Sequence, residues 1–183
     1  MTRRIKDSET KILAAISETL KSEYVDPLEN EWEGSPFAWI LTRRSSRQRG
    51  KIGEQLIAGW CAARDLNVIR SPSSDADRII EGRRVEIKFS TLWTGGNYVF
   101  QQIRDQEYDY LLCLGISPFA AHAWILKKSE IPFTKLKHQH GGGRGKDTWW
   151  FSVNPKSIPK WLNMFGGPLA FPMRVLKGFR KLK

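Results

Sequence analysis

Apolar residues recur along this chain with two different periods. Over residues 8–24, Ile12, Leu13, Ile16 and Leu20 fall at three- and four-residue spacings, which predicts an amphipathic helix ending near Pro27. A second helix is predicted over residues 52–64, with Ile52, Leu56, Trp60 and Ala63 as its apolar stripe and Glu54, Ala58 and Cys61 on another face. From Leu66 the pattern becomes strand-like. A short half-apolar stretch at 67–70 ends in the turn cluster Ser71-Pro72-Ser73-Ser74. Two further strands, Arg78-Ile79-Ile80 and Arg84-Val85-Glu86-Ile87-Lys88-Phe89, flank the turn Glu81-Gly82-Arg83 and so predict a β-hairpin. Val99, Phe100 and Ile103 suggest a short helix ending near Glu107.

Residues 110–116 form a nearly continuous apolar run, the mark of a strand buried on both faces, and residues 122–126 read as its neighbour. From about Ile131 the chain is rich in Pro and Gly and reads as loops. This order predicts an α/β domain on a mixed central sheet of about five strands flanked by helices. The division expected within one domain is an N-terminal helix and basic loop over 1–49, a core over 50–128 and a loop-rich C-terminal extension over 129–183.

Composition narrows the classes. The chain has 183 residues and a formal charge of +11, with 40% hydrophobic residues and eight Trp, nine Phe and four Tyr. So many large apolar groups exclude a wholly disordered polyelectrolyte. No run reaches the roughly 18 apolar residues of a membrane span, and a soluble, cytoplasmic protein is expected. Cys61 and Cys113 stand far apart in apolar surroundings, which suits reduced thiols rather than a disulfide framework. The basic excess points first to nucleic acid, because Lys and Arg gain affinity by displacing phosphate counterions.

Against that basic background a few acids stand in a telling order. Alternation along residues 84–90 sends Val85, Ile87 and Phe89 to one face and Glu86, Lys88 and Ser90 to the other, and the hairpin folds Asp77 back beside Glu86. Two carboxylates with an ammonium close by suit a hard divalent cation such as Mg²⁺, with the lysine orienting a water for attack on phosphorus. The residue set fits phosphodiester hydrolysis.

Asp77, then Glu86-Ile87-Lys88 across a hairpin, preceded by a helix carrying Glu54, resembles the PD-(D/E)xK nuclease superfamily over roughly residues 50–128. The resemblance implies a restriction-endonuclease-like core in which Asp77, Glu86 and Ile87 form the Mg²⁺ set, with Glu54 as a further ligand, and Lys88 serves as catalytic lysine. It also implies cleavage that leaves 5′-phosphates. The family's Pro-Asp pair is absent here, which leaves Asp75 open beside Asp77 as the first acid. A Gln-x-x-x-Tyr form is not met either, and Gln101 and Gln102 are candidates for orienting nucleotide or water.

A Glu-x-Lys strand taken alone is usually a solvated ion-paired face, and it is the combined pattern that favours catalysis. Asp75-x-Asp77 does not make a calcium loop, since Ile79 and Ile80 occupy the positions that need an oxygen ligand and Gly. Basic candidates for DNA contact are Arg43, Arg44, Arg47, Arg49 and Lys51, read as an exposed loop, and His138, His140, Arg144 and Lys146 around a Gly-rich tract. That tract is not a P-loop, because Asp147 follows Lys146 where Ser or Thr is needed. The basic C-terminal end reads as phosphate contacts or a docked end. The expected activity is a Mg²⁺-dependent endonuclease on double-stranded DNA. A type II restriction enzyme is favoured over a repair nicking enzyme, a junction resolvase, an RNA nuclease or a non-catalytic DNA-binding protein. Cutting both strands implies a homodimer.

Overall fold

The computed structural model describes residues 31–41, 45–139 and 147–182. The helix predicted over residues 8–24 lies outside them, as do Arg43, Arg44, His140, Arg144 and Lys146. A long helix, α1 (Ser46–Ala62), precedes the strands β1 (Val68–Arg70), β2 (Arg78–Ile80), β3 (Arg83–Thr91), β4 (Tyr98–Ile103), β5 (Tyr110–Ser117) and β6 (Ala120–Lys127). Then follow β7 (Lys137–Gln139), β8 (Thr148–Val153), the single turn α2 (Lys160–Asn163), β9 (Gly166–Pro168) and α3 (Ala170–Gly178).

The architecture is mixed α/β. The central sheet has six strands in the order β1-β2-β3-β5-β6-β9, one more than expected, and β4-β8-β7 form a second, three-stranded sheet. In the central sheet β3 and β5 run parallel while the other neighbours are antiparallel. β5 is buried on both faces as its apolar run requires. Leu112, Leu114 and Ile116 pack with Ile57 and Cys61 of α1 and Met173 and Leu176 of α3. Leu111 and Cys113 turn the other way, against Tyr98 and Phe100 of β4 and Phe151 and Val153 of β8. The result is three layers, helices on sheet on sheet, with apolar contact on both sides of β5. Both cysteines are buried free thiols. Among the described residues no helix is long and apolar enough to cross a membrane.

Three expectations are corrected. The segment around Val99 is strand β4, not a helix. Tyr98 and Phe100 alternate inward, and then a bulge with Gln102 at φ 56° inserts one residue before Ile103 turns inward. That insertion puts Phe100 and Ile103 three apart, which imitates helical spacing.

Helix α1 begins at Ser46, with Ser45 as its N-cap, so Arg47, Arg49 and Lys51 lie in its opening turns rather than in a loop. Gln, Arg and Lys are good helix formers, and the basic run concealed that propensity. The face of α1 that is fully buried carries Gly53, Ile57 and Cys61, whereas Leu56 and Trp60 of the expected stripe are half-buried and Ala63 is exposed.

Beyond Ile131 the chain supplies β7, β8, β9 and α3, not only loops. The C-terminal end docks: Phe179 lies 4.5 Å from Tyr110 ring to ring, and Arg180 pairs with buried Glu81 at 2.9 Å.

Candidate active site

The hairpin that carries the acids turns on Glu81 and Gly82 alone. Their φ values of 47° and 82° are those of a tight two-residue loop, and Ile80 faces Arg83 directly across it. Since β2 is only Arg78–Ile80, its pairing with β3 stops at Val85, and the remainder of β3 runs on with that edge open. A cleft of about 420 Å³ lies at this open edge. One wall is the start of α1, with Arg47, Arg49, Lys51 and Glu54; the other includes Val99, Gln101 and Gln102 of β4. Asp77, Glu86, Ile87 and Lys88 lie between them.

Each of these groups is positioned by a specific contact. Asp77 sits immediately before β2; its N–H donates to the Val85 carbonyl, and its Oδ2 accepts from the Ile87 N–H at 2.7 Å. The carboxylate thus takes the place of the missing β2 residue opposite Ile87. The N–H and C=O of one strand residue point to the same edge, so the Ile87 carbonyl is also directed at the opening. An isoleucine side chain has no donor atom, and this main-chain oxygen is the only way Ile87 could touch a cation. Asp75, the alternative first acid, accepts from Ser73 Oγ in an exposed turn and does not line the cleft.

Glu86 and Lys88 project to the face covered by the second sheet, and Lys88 Nζ donates to Glu86 Oε1 at 2.7 Å. Glu86 is only 7% exposed. Burial pushes its carboxyl above the ordinary range, the Lys88 ammonium opposes that, and the charge of Asp77 adds to it. Glu54, on the α1 side, pairs with Arg78 at 3.2 Å. Burial raises its carboxyl as well, the charge of Asp77 pushing the same way and Arg78 opposing.

Both carboxyls feel Asp77, so the three acids form one electrostatic cluster. Basic groups surround it on α1. Ser90 on the same face as Lys88 spends its hydroxyl holding the sheets together, accepting from the Val99 N–H at 2.9 Å.

The donor set can be tested against a metal. Among the described residues no three His, Cys, Asp or Glu side chains come close enough for a three-ligand site. Asp77 and Glu86 each use one oxygen internally, which leaves Asp77 Oδ1, Glu86 Oε2 and the Ile87 carbonyl. An all-oxygen set of two carboxylates and a carbonyl fits Mg²⁺, which keeps several waters of its own, and not a four-ligand zinc site.

The structure therefore brings together Glu54, Asp77, Glu86, Ile87, Lys88, Arg47, Arg49, Lys51, Gln101 and Gln102. His138 is not brought in: it lies on β7, 3.2 Å from Asp147 and against Trp149. Two features of the site had no signal in the sequence. Arg78 was an ordinary strand residue until the fold placed it against Glu54. Trp93, half exposed after the end of β3, lines the cleft.

No family model matches the sequence. No curated protein matches it either. Among solved structures the chain is similar to a bacterial homing endonuclease, I-Ssp6803I, at 14% identity and a TM-score of 0.48, the match covering 76% of this chain and 99% of that one.

Proposed function

We propose that this protein is a metal-dependent DNA endonuclease. The observation that carries the reading is the meeting of Asp77, Glu86, Lys88 and the Ile87 carbonyl at the open edge of β3, in a cleft walled by Arg47, Arg49 and Lys51. Asp77, Glu86 and Ile87 would hold Mg²⁺, and Glu54, paired with Arg78, adds its charge to the same acidic cluster. When bound, the cation supplies charge stabilisation to the phosphoryl oxygens.

The chain's own residues do the rest. The α1 cations hold the phosphodiester backbone, and the positive end of the helix dipole favours the same anion. Lys88, fixed by Glu86, orients the attacking water. The water oxygen bonds to phosphorus, the bond to the 3′ oxygen breaks, the proton count is restored on that leaving oxygen, and the products are a 3′ hydroxyl and a 5′ phosphate.

One such cleft cuts one strand. Cutting of both strands calls for two copies related by two-fold symmetry, and we place the reaction in restriction of duplex DNA. A neighbouring methyltransferase gene is the observation that tests this setting.

The experiment is supercoiled-plasmid cleavage by the purified full chain. Mg²⁺ should support nicking or cutting, EDTA should stop it, and D77N, E86Q and K88M should each lose at least about a hundredfold in rate while binding duplex DNA as the wild type does. Cleavage that survives all three substitutions, or survives EDTA, removes the reaction from these residues. Tight binding with no product from the wild type would instead make the protein a non-catalytic DNA binder.

A further inference from the structure

The second sheet has one face in the core and one exposed to solvent. Trp149, Phe151 and Val153 of β8 point inward with Tyr98 and Phe100 of β4. Alternation turns Thr148, Trp150 and Ser152 outward, and the strand pairing sets Lys137 opposite Trp150 and Gln139 opposite Thr148 on the same face. Lys137 Nζ stands 4.5 Å from the centre of the Trp150 ring. At the other side of the sheet the β4 bulge exposes Gln101 and Gln102 together, and these two also line the cleft. The left-handed backbone at Gln102 is a strained conformation that turns an extra amide toward the cleft.

We propose that this outward face reads base sequence, with the β7–β8 ribbon entering the major groove of duplex DNA and β4 at the rim beside the cleft. The inference rests on the nuclease reading of the cleft.

Three observations carry it. The outward side chains of the three strands are amides, hydroxyls, a lysine, an indole and a valine, with no carboxylate to repel a polyanion. Two strands about 4.8 Å apart, with their side chains, suit a groove about 12 Å wide. The residue types match base edges: Gln139 pairs in a two-point fashion with adenine, Lys137 with the O6 and N7 of guanine, and Thr148 with either.

Continuity with the cleft through Gln101 and Gln102 then fixes where the cut falls relative to the bases read. His138 turns inward against Trp149 and has no part in this face. The major groove of duplex RNA is deep and narrow, so the same ribbon excludes it.

The test is selection from duplexes with a randomised centre, by the full chain with Ca²⁺ in place of Mg²⁺, comparing wild type with a K137A/Q139A double variant and with Q139E. Both lysine and glutamine are exposed on an edge strand, and matching thermal unfolding of the variants confirms that they fold. Wild type should enrich one sequence pattern and ignore duplex RNA. The double variant should bind the unselected library within about threefold, yet lose discrimination at the contacted positions by about tenfold or more. Q139E should move one preference from adenine to cytosine, a switch that a merely structural residue would not produce.

An unchanged pattern in the double variant overturns the inference. Wild-type binding with no pattern at all also overturns it, while leaving the nuclease reading in place. Failure of wild type to bind any duplex removes the nuclease reading and this inference together.

Discussion

Gly53 lies where α1 meets β3, and replacing it separates packing from helix propensity. An added Cβ would fall 2.3 Å from Phe89 Cβ and 2.5 Å from its Cγ, where ordinary contact begins at 3.4 Å. Rotating the Phe89 ring gives no relief, because its Cβ is fixed to the strand backbone. Helix and strand must therefore move apart by about 1 Å, an overpacking that costs about 1–3 kcal/mol. Exchange of Gly for Ala within a helix returns about 1 kcal/mol, so G53A should be destabilised by up to about 2 kcal/mol.

Gly59 on the same helix is exposed and has nothing within 4 Å of the corresponding position. G59A therefore gains the propensity alone, about 1 kcal/mol. At about 2–4 °C per kcal/mol for a chain of this size, the two variants should melt about 2–12 °C apart.

The consequence reaches the cleft, because Glu54 and Lys51 travel with α1 while Glu86 and Lys88 stay with β3. A misplacement of about 1 Å lowers rate on the order of a hundredfold, measurable as plasmid cleavage at a temperature where both variants are folded. Should G53A melt at or above the wild-type temperature and cut at the wild-type rate, the close approach of Gly53 to Phe89 has no bearing on the site.

Two further predictions concern the acids. Because burial holds the folded-state Glu86 carboxyl above its ordinary value of 4.5, the folded chain binds this proton more tightly than the unfolded chain. Its contribution is therefore lost as pH rises from about 4.5 through the raised value, and the unfolding free energy of wild type minus that of E86Q should fall across this window and then level off. Denaturant titrations from about pH 4 to about pH 8 measure it, and a difference that climbs with pH reverses the assigned cause. If Asp77 and Glu86 hold Mg²⁺, cation at a hundred times its dissociation constant should stabilise the wild type by about 2.7 kcal/mol, or about 5–11 °C, and leave a D77N/E86Q variant unmoved. Equal melting shifts in both proteins would take the cation away from these carboxylates.

Much of the site was legible because it lies within one hairpin. A period of two is a local property of extended chain, so Glu86 and Lys88 had to share a face and Val85 and Ile87 the other, whatever packed against them. The turn was legible too, since positive φ at two successive positions favours Gly beside a polar residue. The apolar run of β5 announced burial on both faces, and Cys61, beside Glu54 on the α1 face set apart from the apolar stripe, is fully buried against the core. Where a bulge breaks the period at Gln102, the apolar spacing of a strand imitates that of a helix.

What the tertiary structure alone decided is everything that depends on groups distant in sequence. That Asp77 and not Asp75 meets the Ile87 N–H across the hairpin is set by the fold, and the early end of β2 opens the edge toward which the Ile87 carbonyl points. The ion pair of Glu54 with Arg78 depends on the docking of α1 against β3 through Gly53. The second sheet is likewise a product of long-range packing, since its strands β4, β7 and β8 come from separated segments and no single segment displays its polar outer face. Local periodicity sets which way a side chain points, because it follows from backbone geometry; what it points at is set by long-range packing, which buries apolar surface from many segments at once.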